Sequence, residues 1–301
     1  MHTLFDLYND FIPDFAEFQQ SLIRPIPTHL RVNTLKAEIS KVRSLLLSQG
    51  FELISSFPSD PTLLMAPAMP TPGNLLEYFL GYIHPQALTS CLASLVLRPE
   101  PGSYVLDMCA APGGKTSHMA QIMNNTGLIV ANELYASRQV PLGHTLSRLG
   151  VVNCAITAYQ AQQFPLRTRF DYVLADVPCS GEGTFRKLAP GSQYKETKEK
   201  AQLPELQKMI LLRGYSLLKS GGTLLYSTCT YNPEENEGVV SHLLRNSDAE
   251  IVPIDLELPV EPGIEHWRGN KYEPELRHAA RFYPHRIDSV GFFMARISKP
   301  R

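Results

Sequence analysis

The strongest constraint on the fold of this chain is a repeated alternation of short apolar runs with longer amphipathic segments, which begins near Val105. Short apolar runs predict buried strands, and longer amphipathic segments predict helices. Strands are predicted at 104–108, 127–133, 153–157, 170–176 and 222–229, with a closing strand at 291–297. Because such strands are apolar on both faces, helices must cover the sheet on both sides. The pattern predicts an α/β fold with an open, largely parallel sheet.

The first 85 residues do not follow this alternation. They are rich in proline and contain one helix-like run near 36–49. A chain of 301 residues with 44% hydrophobic residues is long enough for one large core and a small second one. We therefore expect a small N-terminal domain at 1–85 and a larger domain at 86–301.

Composition argues against several other classes of protein. No apolar run approaches the roughly 18 residues that a membrane span requires, and the first residues do not resemble a secretion signal. The five cysteines form no CxxC pair and no zinc-type spacing with histidine, so we expect free thiols and no metal site. These features favour a cytoplasmic globular protein.

The charge of the chain limits its partners. A formal net charge of −1 and a pI near 6.8 argue against a broad surface for polyanions, which requires clustered Lys and Arg. However, acidic residues predominate in 232–265, whereas Lys and Arg predominate in 266–301. This distribution fits either a locally positive surface on a neutral protein or two solvated faces.

The segment DMCAAPGGKT (107–116) follows the first predicted strand of the sheet, where doubly wound folds bind a ligand. It is not a P-loop, because Cys109 stands where that motif has glycine, and the dinucleotide pattern GxGxxG is also absent. Its small residues let a ligand approach the backbone, and free amides at the helix start favour a carboxylate. Glu133, at the end of the second strand, is placed to bind ribose hydroxyls. Together these features point to S-adenosylmethionine.

Three segments of the larger domain carry a specific resemblance. DMCAAPGGKT, DVPCSGEGTFRK (176–187) and YSTCTYNPEENE (226–237) resemble the RNA 5-methylcytosine methyltransferases of the NOL/NOP/SUN family, and the bacterial ribosomal-RNA enzymes look most similar. RVNTLK (31–36) and the stretches 84–102 and 284–296 extend the similarity over nearly the whole chain. The resemblance implies a Rossmann-like class I methyltransferase sheet, mostly parallel with a closing antiparallel strand, and a small N-terminal α/β domain that binds RNA.

The resemblance also implies a reaction and partners. S-adenosylmethionine would donate a methyl group to carbon 5 of a cytosine in RNA, with ribosomal RNA favoured and transfer RNA as the alternative. We expect a monomer that needs no metal and does not contact a membrane. Two other hypotheses stay open, namely a DNA cytosine-5 methyltransferase and a non-catalytic RNA-binding assembly factor that keeps the fold.

The donor-binding residues of the family can be carried over to matching positions of this chain. They are the turn residues Cys109, Ala110, Ala111, Pro112, Gly113, Gly114 and Lys115, followed by Glu133, Arg138, Gln160 and Asp176. Gln160 departs from the family, which has Asp there, so this position keeps an amide for the adenine edge but loses the charge. Arg186 and Lys187, at the end of the second motif, are predicted to contact RNA phosphates.

The resemblance assigns catalytic roles to Cys229, Cys179, Asp176 and Lys115. A thiolate that adds to carbon 6 makes carbon 5 of cytosine nucleophilic, and Cys229 in the TCT triplet matches the nucleophile of the family. Cys179 in the Pro-Cys pair matches the cysteine that assists product release. Asp176, kept protonated by burial, would give a proton to ring nitrogen 3, and Lys115 would contact the base carbonyl.

Overall fold

The structure is a computed structural model that describes residues 5–187 and 200–301. Its strands are β1 Thr28–Val32, β2 Ile54–Ser55, β3 Leu63–Ala66, β4 Ile83–Pro85, β5 Tyr104–Asp107, β6 Leu128–Asn132, β7 Cys154–Thr157, β8 Phe170–Asp176, β9 Leu218–Thr228, β10 Glu250–Val252, β11 Glu261–Pro262, β12 His266–Trp267, β13 Asn270–Lys271, β14 Ala280–Phe282 and β15 Phe292–Ser298. Its α-helices are α1 Phe15–Leu22, α2 Ile39–Ser48, α3 Leu76–Phe79, α4 Leu88–Leu97, α5 Gly114–Ile122, α6 Ala136–Arg148, α7 Leu203–Ser216, α8 Glu237–Arg245 and α9 Pro284–Ile287. Every strand predicted from the sequence overlaps a strand of the structure.

The large sheet has the order β11-β14-β15-β9-β8-β5-β6-β7, and β10 pairs with β15. Strands β5 to β9 pair in parallel, whereas β15 runs antiparallel to β9, with Met294 opposite Ser227. The predicted α/β fold class, with a mostly parallel sheet and a closing antiparallel strand, is confirmed. The strand order reverses between β5 and β8, which is where open α/β sheets form a ligand crevice.

Apolar side chains fill both faces of the large sheet. Val173 and Leu224 belong to a buried cluster that includes residues of α7 and α8. Val105 and Leu225 belong to a second cluster that includes residues of α4 and α5. Since successive strand residues point to opposite faces, neighbours such as Leu224 and Leu225 enter different cores. Two buried faces explain why these strands are continuously apolar in sequence.

Residues 28–85 contain a smaller antiparallel sheet of order β2-β3-β1-β4. Val42 and Leu46 of α2 lie four residues apart, so they share one helix face. Both are fully buried and pack in a separate cluster with Leu30 and Val32 of β1. This sheet therefore has its own core, next to the large one.

The N-terminal segment, residues 5–22, packs into the core of the large sheet. Phe18 of this segment lies in the same apolar cluster as Val173 and meets the ring of Tyr231 edge-on, with 5.2 Å between centroids. The small sheet thus accounts for only part of the first 85 residues. The division into domains at residue 85 stays a prediction.

The predicted helices are present, but their ends differ from the prediction. The run near 36–49 is α2, and the helix predicted at 233–244 begins only at Glu237. The preceding residues form a turn in which the amide of Gly238 donates to the carbonyl of Pro233 at 2.8 Å. Within residues 5–187 and 200–301, no helix combines the length and apolar composition needed to cross a membrane.

Candidate active site

The carboxyl ends of five neighbouring strands gather the predicted site residues at one edge of the large sheet. Asp107 ends β5 and Asp176 ends β8, while Glu133, Gln160 and Cys229 follow β6, β7 and β9. Because parallel strands all end at the same edge, these positions border one crevice. The alternation of strands and helices, rather than proximity in sequence, brings them together.

The turn between β5 and α5 is shaped by a glycine and held by Arg138. Gly113 has a φ of +99°, which favours glycine, and a Cβ atom there would lie 3.0 Å from the side chain of Leu142. Arg138 donates to the carbonyl oxygen of Ala111 at 3.0 Å and lies 3.3 Å from the carboxylate of Glu133. One guanidinium therefore joins the donor turn to the acid that was predicted to bind ribose.

A cavity of about 220 Å³ lies beside this turn. A Cβ atom on Gly114 would stand 3.3 Å from Nε2 of His84, so glycine lets the turn approach the segment 84–90 closely. The lining residues are His84, Pro85, Gln86, Ala87, Ser90, Asp107, Cys109, Ala110, Ala111, Pro112, Gly114, Lys115, Asp176 and Lys187. Most of the predicted donor turn faces the cavity, opposite a segment that the sequence motifs included without assigning a role to it.

Asp107 is the buried acid of this cavity. It is 1% exposed, and its Oδ2 accepts the hydroxyl of Thr116 at 2.7 Å. Within the part of the chain that the structure describes, its Oδ1 has no hydrogen-bond partner. Burial raises the pKa of Asp107 to about 7, against the opposing hydrogen bond from Thr116. A ligand that brings a cationic donor, such as an amino group, would satisfy the free oxygen.

Asp176 is paired with a cation. Lys115 Nζ lies 2.6 Å from Oδ2 of Asp176, and Ser227 donates to Oδ1 at 2.7 Å. Burial disfavours the ammonium charge of Lys115, but the Asp176 carboxylate outweighs burial and the pKa of Lys115 is raised. The sequence hypothesis, in which burial keeps Asp176 at least partly protonated, stays a prediction. In the structure this carboxyl group contacts the cation of Lys115.

The two motif cysteines lie in contact. Their Sγ atoms are 3.2 Å apart, and the backbone amide of Cys229 lies 3.3 Å from Sγ of Cys179. The hydrogen bond from Cys179 lowers the pKa of Cys229, and Lys115 and Lys187 act in the same direction against burial and Asp176. The same hydrogen bond, together with burial, raises the pKa of Cys179 well above its ordinary value. The contact therefore favours negative charge on Cys229 over negative charge on Cys179.

Buried carboxylates join the two loops that carry these cysteines. Glu235 Oε2 accepts the amide of Ser180 at 2.9 Å and Nε2 of Gln207 at 3.0 Å. Glu182 accepts the hydroxyl of Thr230 at 2.9 Å and the hydroxyl of Tyr8 at 2.9 Å. Sequence analysis missed these residues, although both acids lie inside the quoted motifs DVPCSGEGTFRK and YSTCTYNPEENE.

Arg186 does not reach the surface. Its guanidinium donates to the carbonyl oxygens of Pro25 at 2.9 Å and Ser289 at 3.2 Å, and it pairs with Asp288 at 2.8 Å. The prediction that Arg186 contacts RNA phosphate is wrong, because these buried acceptors already bind its donors. Lys187, by contrast, is exposed and lines the cavity.

Some residues singled out in the sequence lie apart from the cavity. Gln160 is exposed, and its Oε1 accepts a hydrogen bond from Gln162 at 3.1 Å. Cys91 is buried and Cys154 is half-buried, and burial raises the pKa of each thiol to about 12. Neither of these two cysteines is activated, as expected for residues that only pack. Across residues 5–187 and 200–301, no three His, Cys, Asp or Glu side chains form a cluster suited to a metal ion.

Comparison with known proteins relates this site to a family. The family model described as "16S rRNA methyltransferase RsmB/F" matches residues 94–298. The chain belongs to this family of methyltransferases. The tRNA (cytosine(49)-C(5))-methyltransferase of Pyrococcus abyssi is 37% identical over 292 residues, which cover 96% of this chain and 94% of that protein. The 28S rRNA (cytosine(4447)-C(5))-methyltransferase of Homo sapiens is 37% identical over 303 residues, which cover 98% of this chain but 37% of that protein.

The fold of this methyltransferase also has a solved counterpart. A crystal structure described as a methyltransferase homolog protein from Pyrococcus horikoshii superimposes with a TM-score of 0.85 at 33% identity. The match covers 98% of this chain and 93% of that chain, so it includes both sheets. The resemblance to the RNA cytosine-5 methyltransferases, drawn from three sequence motifs, is confirmed.

Proposed function

We propose that this methyltransferase transfers a methyl group from S-adenosylmethionine to carbon 5 of a cytosine in RNA through a covalent bond between Cys229 and carbon 6. The contact between Cys179 and Cys229, which favours negative charge on Cys229, supports it most strongly. Carbon 5 of cytosine is a poor nucleophile until a thiolate adds to the ring. A pair of thiols of which one is activated, beside Lys115 and Asp176, suits that chemistry.

The residues around the cavity fit the methyl donor. The first amides of α5 favour its carboxylate, and the free oxygen of Asp107 favours its amino group. Glu133, 3% exposed and oriented by Arg138, would accept the ribose hydroxyls. S-adenosylmethionine, when bound, supplies the methyl group. Gln160 is the weakest assignment, because its side chain is exposed and, like Glu133 and Arg138, it does not line the cavity.

The protein's own groups carry out bond formation. The Cys229 thiolate adds to carbon 6, and the electron pair of the ring moves toward carbon 5 and nitrogen 3. A proton for nitrogen 3 comes from Asp176, which receives it from the Lys115 ammonium 2.6 Å away. The Lys115–Asp176 pair thus replaces the buried, protonated Asp176 of the sequence hypothesis.

Release of the product requires the second cysteine. Once Cys229 is bonded to carbon 6 it carries no charge, so the main cause of the raised pKa of Cys179 is gone. Cys179 can then ionise and take the proton from carbon 5. The electron pair of that C–H bond re-forms the double bond between carbons 5 and 6, the C–S pair returns to Cys229, and nitrogen 3 returns its proton through Asp176 to Lys115.

Ribosomal RNA is the proposed substrate, supported by the description of the family and by the human relative. Transfer RNA is the second candidate, because the archaeal relative that the chain matches over nearly its full length is named for tRNA. Exposed Lys187 at the cavity would contact a phosphate next to the target base. The monomeric state, the absence of a metal and the cytoplasmic location stay predictions.

The test incubates labelled S-adenosylmethionine with unmodified ribosomal RNA, transfer RNA and DNA. Cys229→Ala should abolish both turnover and covalent adducts, whereas Cys179→Ala should accumulate a protein–RNA adduct visible on a denaturing gel. Cys154→Ala, at a half-buried cysteine without an activated thiol, is the matched control and should behave as wild type. Adducts from Cys229→Ala would reverse the two roles, and methylation of DNA alone would support the rival enzyme class. If the protein neither binds S-adenosylmethionine nor transfers its methyl group, a non-catalytic RNA-binding factor would be supported.

A further inference from the structure

One pair of buried side chains holds the loop of Cys179 on both sides of the cysteine. Gln207 is fully buried, and its Nε2 donates to the carbonyl of Pro178 at 2.8 Å and to Glu235 at 3.0 Å. Glu235 accepts the amide of Ser180 at 2.9 Å. Pro178 and Ser180, directly before and after Cys179, are therefore hydrogen-bonded to Gln207 and Glu235, respectively.

Glu235 brings a negative charge to this position. It is 1% exposed, and its carboxylate accepts from the amide of Ser180, from Gln207 and, at 3.4 Å, from Nδ2 of Asn232. All three groups are hydrogen-bond donors. Within residues 5–187 and 200–301, no Lys, Arg or His forms an ion pair with Glu235. The charge is thus balanced only by neutral dipoles.

Charged groups of both signs act on Cys229. Lys115 and Lys187 favour the negative charge of Cys229, with Asp176 opposing them. Glu235 disfavours negative charge on Cys179, in addition to the effects of Cys229 and of burial. A thiolate is stabilised beside a cation and destabilised beside an anion. Cys229 is therefore acted on by two cations as well as an anion, whereas the charges that act on Cys179 are those of Cys229 and Glu235.

We propose that Glu235 is a positioning residue that keeps the proton of the sulfur pair on Cys179 and so makes Cys229 the nucleophile. Its catalytic meaning rests on the proposed function, since only that function gives Cys229 a substrate. The position of the proton is a property of the free protein. It can be measured without RNA or methyl donor.

The experiment measures initial rates of alkylation of Cys179 and Cys229 by iodoacetamide at one pH, with each cysteine followed by peptide mass spectrometry. In wild-type protein, Cys229 should react faster. Glu235→Gln keeps the size of the side chain but removes the charge, and should narrow the rate ratio about tenfold, which corresponds to one pKa unit. Glu234→Gln, at the exposed neighbouring acid, is the matched control and should keep the wild-type ratio.

A second variant separates charge from position. Gln207→Met removes the hydrogen bonds to the loop but leaves the charge of Glu235. It should accelerate alkylation of both cysteines and keep their ratio, because a looser loop exposes both sulfur atoms. If Glu235 has a purely structural role, Glu235→Gln should also accelerate alkylation of both cysteines and keep their rate ratio. That result would overturn the proposal.

Two further outcomes decide the matter. Faster alkylation of Cys179 than of Cys229 in the wild-type protein would overturn the proposal even if Glu235→Gln failed to fold. A narrowed ratio in Glu235→Gln, in a protein that methylates no RNA, would support the proposal while the proposed function fails. Where RNA is methylated, Glu235→Gln should lower kcat/KM, and Glu234→Gln should not.

Discussion

Replacing Asp107 with Asn tests whether this buried acid binds a proton in the folded protein. Asp107 is 1% exposed, and only one of its oxygens accepts a hydrogen bond within the described part of the chain. Burial raises its pKa from an ordinary value of 3.8 to about 7. Asn has nearly the same shape and can still accept the Thr116 hydroxyl, but it does not titrate.

The sign and size of the effect follow from this pKa. Between pH 3.8 and about pH 7 the folded chain binds a proton at Asp107 that the unfolded chain has lost. The stability that this proton contributes is present at low pH and is lost as the pH rises through about 7. A shift of about 3 units corresponds to about 4 kcal/mol in total, of which about 3 kcal/mol falls between pH 5 and pH 8.

The assay is urea unfolding of wild type and Asp107→Asn at pH 5 and at pH 8. The free energy of unfolding of wild type minus that of the variant should be about 3 kcal/mol smaller at pH 8 than at pH 5. Asp10→Asn, at an exposed aspartate, is the control and should show no such change. A difference that is equal at both pH values, or that grows with pH, would refute the assignment of a buried proton to Asp107.

Other changes test packing and chemistry separately. Glu237→Ala leaves the guanidinium of Arg281 buried without its carboxylate and should lower the free energy of unfolding in urea by about 3–5 kcal/mol; a loss below about 1 kcal/mol would contradict this. In Gly113→Ala, the alanine must adopt a φ of +99°, so the affinity for S-adenosylmethionine, measured by calorimetry, should fall about tenfold. An unchanged affinity would exclude a role for this turn in donor binding. Hydrogen peroxide should oxidise Cys179 and Cys229, 3.2 Å apart, to a disulfide and be reduced to water, with activity restored by a thiol. Mass spectrometry without prior reduction should find the disulfide-linked peptides. Loss of activity without linked peptides would contradict the formation of this disulfide.

The sequence was sufficient to predict the strands of the large sheet. Continuous apolar runs required strands buried on both faces, and the structure contains two cores that pack against those faces. Cys179 and Cys229 follow two consecutive strands of the predicted sheet, and parallel strands end at one edge. Their proximity is thus a consequence of the pairing of β8 with β9, which the structure shows.

The charges of the site could not be predicted in the same way. Arg186 follows a polar loop in sequence and reads as a surface cation, but its acceptors Pro25 and Ser289 come from distant parts of the chain. Similarly, Lys115 contacts Asp176 across 61 positions of the sequence. Hydrophobic periodicity describes the local surroundings of a residue. The partners of a buried charge depend on tertiary contacts that periodicity does not describe.

The packing partner of the N-terminal segment, residues 5–22, could not be predicted either. Its apolar residues and prolines suggested that it belongs with the small sheet, whereas Phe18 packs in the core of the large one. An apolar stretch shows that a segment must be buried, but it does not show against which sheet.

Contact between Tyr8 and Glu182, 174 positions apart, sets an order of events during synthesis. At roughly 5–20 residues per second, the ribosome makes Tyr8 about 10–35 s before Glu182 exists. Gly183, beside Glu182, also accepts the amide of Gly291 at 2.9 Å, so the cysteine loop is complete only when the closing strand has been made. Once Cys229 has been made, the nascent chain therefore carries both cysteines before this loop is complete. The hydrogen bond from Gly291 to the loop of Cys179 can form only after the chain has been made as far as Gly291.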